Sequence, residues 1–149
     1  MIALIQKVHE CALSVENNLI SEIKNGLVIT IGVFREDEKT DALKLAKKIV
    51  NMRLFKDDNN KINLNVLNVK GEILVVSNFT LCAEIKSGTR PNFSHAKNPQ
   101  QAEELYVYFK NCLNELGVET VKLGAFGQHM HLKTVIDGPF NIVLNSKEI

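Results

Sequence analysis

The sequence predicts a mixed α/β domain, with a largely antiparallel, curved or barrel-like sheet carrying two main helices. Three observations carry that prediction. Short β-rich apolar runs crowd both ends of the chain, two interior segments switch to a helical period, and neither repeat nor linker divides the 149 residues. A chain of that length, 45% apolar, is enough for one domain with one sizeable core, spanning 1–149.

Taken in order, "IALIQKV" and "CALSV" are β-rich, Asn17-Asn18 interrupts, and "LISEI" sets Leu19, Ile23 and partly Ile20 in alternation. Asn25-Gly26 is a hairpin signal leading into "LVITIGVF", so the first third predicts a β-meander. In "EDEKTDALKLAKKIVNMRLF" the apolar period becomes helical, placing Ala42, Leu43, Ala46, Ile49, Val50 and Leu54 on one face. Acids stand at its start and lysines follow, as the helix dipole favours. "KDDNNKINLN" reads as a polar turn, and "GEILVVSNFTL" as a strand apolar on both sides, hence central or covered.

"EIKSGTRPNFSHAKN" is a loop of a length that is often functional. Asn98 suits an N-cap, Pro99 the first turn and Gly117 the position past the end of a second helix. Ala102, Leu105, Tyr106, Phe109, Cys112, Leu113 and Leu116 form its core-facing stripe. Two or three strands close the chain, interrupted by "IDGPFN" at Ile136–Asn141. That interruption is unusual, because Pro cannot donate to a sheet ladder and Gly cannot pack.

Charge excludes some functions. Eighteen basic and 17 acidic residues leave a net charge of +1, so no global field draws the chain to nucleic acid or membrane, and a polyanion needs a local patch. Three cysteines (Cys11, Cys82, Cys112) at unrelated spacings suit a reducing compartment rather than a disulfide frame. Met1–Val8 is short and carries Lys7, unlike a signal peptide, and no apolar run approaches the ~20 residues of a membrane span. The expectation is a soluble cytoplasmic protein.

Candidate chemistry is sparse. His129-x-His131 could pair on one strand face, but no Cys, Asp or Glu stands nearby at a ligand spacing, so no metal is expected. Ser77 and Thr80 carry hydroxyls without an evident base. Neither a G-x-G-x-x-G nor a P-loop is present, and no cofactor is implied. Lys86, Arg90 and Lys97 around Phe93 and His95 could hold phosphates and stack a base, or simply form a solvated loop.

As a constellation these residues resemble a known family. "MIALIQKV", "MRLF" at Met52–Phe55, "VVSNFTLCA", "SGTRPNFSHA" and "LGAFGQHMHLKTVIDGPFNIVL" resemble, in order and spacing, the D-aminoacyl-tRNA deacylases from Met1 to about Leu144. The family motifs S-Q-x-T and N-x-G-P-V-T stand here as Ser77-Asn78-Phe79-Thr80 and Ile136–Asn141.

The resemblance implies the family's fold and a homodimer that hydrolyses the ester joining a D-amino acid to the 3′ end of tRNA. It implies a cis Gly138-Pro139 corner that reaches into the partner's pocket as a chirality gate, excluding L-side chains by sterics while admitting glycine. Main-chain N–H groups around Phe79 and Thr80 become oxyanion donors, beside Ser77, with Thr80 as a covalent nucleophile the second option. Asn78, Phe126, Gly127 and Met130 map to the substrate and adenosine pocket, with Lys7 bracing the corner, and Lys86, Arg90 and Phe93 to a segment near the tRNA.

Departures from the family pattern cluster at this site: Asn78 for Gln, Ile136 for Asn, Phe140-Asn141 for Val-Thr, and Lys7 for an Arg whose planar fork Lys cannot reproduce. They leave two alternatives, a non-editing dimeric relative that binds tRNA or protein, and a deacylase of relaxed chirality.

Overall fold

A computed structural model describes residues 1–86 and 88–149. The strands are β1 (Ile2–Val15), β2 (Asn18–Ile23), β3 (Gly26–Gly32), β4 (Phe55–Lys56), β5 (Ile62–Leu64), β6 (Glu72–Ser77), β7 (Val121–Leu123) and β8 (His131–Asn145). The helices are α1 (Lys39–Asn51) and α2 (Pro99–Glu115), and a 3-10 turn covers Phe79–Cys82. The main sheet runs β2-β1-β3-β6-β7, with β8 on the other edge of β1, and is nearly closed and barrel-like.

β1 is the spine of this sheet. It pairs antiparallel with β2, β3 and β8, whereas β3–β6 and β6–β7 are parallel. The mixed, largely antiparallel expectation therefore holds. The predicted meander does not: β2 and β3 share one edge of β1 rather than pairing with each other. The hairpin lies earlier, at Glu16-Asn17, whose positive φ values of 48° and 68° make the tight turn. Asn25-Gly26 is instead a kink. A Cβ on Gly26 would lie 1.9 Å from the Glu72 carbonyl oxygen, so only glycine lets β6 approach there.

Other corrections have local causes. Leu19 and Ile20 are exposed rather than packed, because β2 is an end strand of the sheet whose only ladder partner is β1. α1 stops at Asn51, so Leu54 is buried from the following extended segment, not from the helix face. The polar turn at 56–65 is a small β4–β5 hairpin. α2 begins as expected, with Asn98 Oδ1 accepting the Gln101 N–H at 3.0 Å and Pro99 in the first turn. Gly117, at φ +101°, follows its end.

Both helices cover one face of the sheet. Leu45, Ile49, Tyr106, Phe109 and Leu113 pack there on Ile5, Ile29, Ile73 and Val75. A second cluster on the other face joins Val8, Leu13, Val28, Leu74 and Val76 to Met130.

A C-terminal 3-10 turn (Ser146–Glu148) locks onto the start of α1. Asp41 closes a capping box by accepting the Glu38 N–H at 2.9 Å, and also takes Ser146 Oγ at 2.9 Å and Lys147 Nζ at 2.8 Å. Burial would raise its pKa, but the hydrogen bonds from Lys147, Glu38 and Ser146 outweigh it and bring the carboxyl to about 2 from 3.8. A depressed carboxylate contributes stability that is fully present above about pH 4 and is lost as pH falls through about 2. Asp41→Asn is thus expected to cost about 2 kcal/mol in urea unfolding at pH 7, with the gap to the parent closing near pH 2. An equal gap at both pH values would contradict this role.

Candidate functional site

The parallel arrangement of β3 and β6 brings their C-terminal ends together at one end of the sheet. There the chain leaves β6 through Asn78, whose N–H donates to the Ile31 carbonyl at 2.8 Å, and turns into the 3-10 segment. Beside that turn opens a cavity of about 600 Å³. Its walls come from β3, β6 and the start of α2, and its cover from the 126–130 loop.

Ser77, Asn78, Phe79, Phe126, Gly127 and Met130 all line this cavity. Thr80 stands exposed at the next position, outside the lining. Phe93 meets Phe79 edge to face at 5.1 Å, which brings the long loop to the cavity mouth. Lys86 and Arg90 are exposed and enter no ion pair among the described residues; Ser87 between them lies outside the described residues.

Ala102 and Tyr106 line the cavity although the sequence reading treated both as core alone, and Tyr106 is the polar one of the two. The Tyr106 ring stacks obliquely on Phe126 at 5.7 Å, and its hydroxyl donates to the Val75 carbonyl at 2.6 Å while accepting the Gly124 N–H at 3.0 Å. Burial pushes its phenol far above the usual range, so it is a fixed hydrogen-bonding wall rather than an acid or base. The signal was available: a tyrosine in an otherwise aliphatic stripe must find a partner for its hydroxyl.

The Asn78 side chain folds back onto the turn. Its Oδ1 accepts the Thr80 N–H at 3.2 Å and the Thr80 hydroxyl at 2.5 Å. The Phe79 N–H makes no hydrogen bond among the described residues. Of the two expected main-chain donors, one is engaged locally and the other is open.

Lys7, Gly138 and Pro139 do not line the cavity of their own chain. β8 is one strand rather than two, and its pairing with β1 breaks between Gln6↔Asn141 and Val8↔Ile136. Asp137, Gly138, Pro139 and Phe140 therefore stand opposite the single residue Lys7 as an outcrop. The Gly138-Pro139 bond is cis, and both residues are exposed. Gly138 has φ +130°, and a Cβ there would lie 2.9 Å from the Phe140 nitrogen.

Lys7 lies beneath the outcrop, 6% exposed, with Nζ 2.9 Å from Asp137 and 5.4 Å from the Phe140 ring centre. Its hydrogen bond holds the Asp137 carboxyl below the usual carboxylate range. His9 reaches the other Asp137 oxygen at 3.6 Å.

The His129 and His131 rings meet edge to face at 5.0 Å, but among the described residues no three His, Cys, Asp or Glu side chains converge. The three cysteines are free and buried, and burial with the nearby Asp37 charge pushes the Cys82 thiol up to about 11. No helix among the described residues is long and apolar enough to cross a membrane.

Fold and site define a small α/β protein with an aromatic-walled cavity, a main-chain turn at its mouth and, apart from that cavity, an exposed glycine-proline outcrop. The sequence profile described as D-Tyr-tRNA(Tyr) deacylase matches residues 4–145. The chain is 45% identical over 148 residues to a D-aminoacyl-tRNA deacylase of Staphylococcus aureus strain bovine RF122 / ET3-1, covering 99% of this chain and 97% of the relative. The strain MRSA252 protein is 44% identical over the same span. Among solved structures, one described as c-Myc DNA Unwinding Element Binding Protein superposes with a TM-score of 0.92 at 33% identity, covering 97% of this chain and 98% of the other. Another, from a structural analysis of a probable eukaryotic D-amino acid tRNA deacylase, reaches 0.81 at 14% identity with the same coverage and shares the fold. This chain belongs to the D-Tyr-tRNA(Tyr) deacylase family.

Proposed function

We propose that the protein hydrolyses D-aminoacyl-tRNA to free amino acid and tRNA, a proofreading step in translation. The observation that carries this reading is the full-length family match laid over a cavity whose mouth is the Ser77–Thr80 turn. Water adds to the ester carbonyl carbon, the bond to the ribose oxygen breaks, and a proton ends on that oxygen. An aminoacyl ester is already activated, so the site needs to place water and stabilise the developing oxyanion, for which the open Phe79 N–H is suited. The aromatic pair Tyr106 and Phe126 suits the terminal adenosine, and the Phe79–Phe93 edge, with Lys86 and Arg90 on the same loop, suits the tRNA end.

The outcrop belongs to this reading as the chirality gate of a partner subunit. Gly138 and Pro139 are exposed, lack a cavity of their own to serve, and rise from a strand with Val135, Ile136 and Val143 also exposed. An isologous homodimer would cover that apolar strand and deliver each outcrop to the other cavity.

The test is release of D-tyrosine, L-tyrosine and glycine from their tRNAs by the purified protein. D-tyrosine and glycine should be released, with L-tyrosine slower by ~100-fold or more. Equal release of both tyrosines would establish the relaxed-chirality deacylase, and no release from any of them the non-editing relative.

A further inference from the structure

We propose that Asn78 is a positioning residue that commits the Thr80 hydroxyl proton, so that Thr80 Oγ1 serves hydrolysis as a hydrogen-bond acceptor holding the attacking water. The inference rests on the deacylase reading and deepens it at one atom.

The geometry begins with side-chain length. Asn78 caps its own 3-10 turn, and its single Oδ1 takes both the N–H and the hydroxyl of Thr80. An amide oxygen can only accept, so the shared proton in the second contact is the one on Thr80 Oγ1. With that proton engaged, the hydroxyl has lone pairs left to offer and no proton. Thr80 is exposed beside the cavity lining, so its Oγ1 can offer those lone pairs to a water at the mouth.

Two consequences follow for the chemistry. Thr80 is not a nucleophile, because an amide oxygen cannot remove its proton and no other base contacts it among the described residues. Nor is it an oxyanion donor through its hydroxyl. Its partner must itself donate, and a water O–H pointing at Thr80 Oγ1 leaves the water's own lone pair free to attack the ester carbon. The Phe79 N–H, which is unengaged, then supplies the main-chain donor for the carbonyl oxygen, and donor and acceptor roles fall on adjacent residues of one turn.

A double-mutant cycle on D-tyrosyl-tRNA tests this, with kcat and KM resolved for each protein and the parent's activity established first. Asn78→Ala and Thr80→Val should each lower kcat by roughly tenfold at unchanged KM, the cost of one orienting hydrogen bond. The double variant should fall no further, because the two residues act through one oxygen. Thr80→Ser, which keeps the hydroxyl, should recover most of the loss. Thr80 is exposed, so Thr80→Val reports even if Asn78→Ala folds poorly.

A multiplicative loss in the double variant would overturn the proposal, as would an effect confined to KM, which would make Thr80 a substrate contact. An unchanged or faster Asn78→Ala would overturn it too, since the freed Thr80 N–H would then be the working donor. A parent protein inactive on D-tyrosyl-tRNA would instead refute the deacylase reading itself.

Discussion

Mixing two inactive variants is expected to restore activity. Gly138→Val disables the outcrop, because φ is +130° and a Cβ would lie 2.9 Å from the Phe140 nitrogen. Since the residue is exposed and lies where the β1–β8 ladder is interrupted, the fold should persist. Ala102→Trp places an indole in the cavity that Ala102 lines from α2. Each alone should lower deacylation of D-tyrosyl-tRNA by ~100-fold, Gly138→Val because its isopropyl group would intrude where the outcrop meets the bound aminoacyl group and Ala102→Trp because it fills the cavity. Random reassociation of equal amounts makes half the dimers mixed, and one of the two sites in each joins an intact cavity to an intact outcrop. Activity should therefore return to about a quarter of the parent value if the outcrop serves the partner's cavity. If each chain gated its own cavity, every site in the mixture would keep one defect and nothing would return.

How far the sequence could be read depended on whether a feature is local. α2 was legible because its cap, first-turn proline, stripe and terminal glycine are all neighbours in sequence. Asn25-Gly26 misled because the same dipeptide suits a hairpin and a kink, and the choice is made by β1, far away in the chain. The cavity motif was legible as a string, but the hydrogen bonds of Asn78 within it depend on the turn's backbone. Lys7 is the clearest case, since the family resemblance alone put it at the corner. Only the register of β1 against β8 places it under the outcrop, and no spacing within one strand encodes that register.

Asp137→Ala should be more damaging than removing both members of the ion pair. Lys7 Nζ is buried, and Asp137, one-third exposed, is the carboxylate 2.9 Å from it. Deleting Asp137 leaves a buried ammonium without its carboxylate, over the rings of Phe55 and Phe140 at 6.0 and 5.4 Å from their centres. A fully buried pair broken this way costs roughly 3–5 kcal/mol; the partial exposure of Asp137 brings the expectation to about 2 kcal/mol. Adding Lys7→Met puts an apolar chain of similar length between the two rings, so the double variant should recover most of that stability in urea unfolding. It should not recover stereochemical control. Asp137 ties the outcrop to β1 through Lys7 and His9, and without it Gly138 and Pro139 are held by the chain alone. Release of L-tyrosine relative to D-tyrosine should therefore rise in both variants, whichever is the more stable. If discrimination instead follows stability, returning with Lys7→Met, the pair would be supporting the sheet rather than aiming the outcrop.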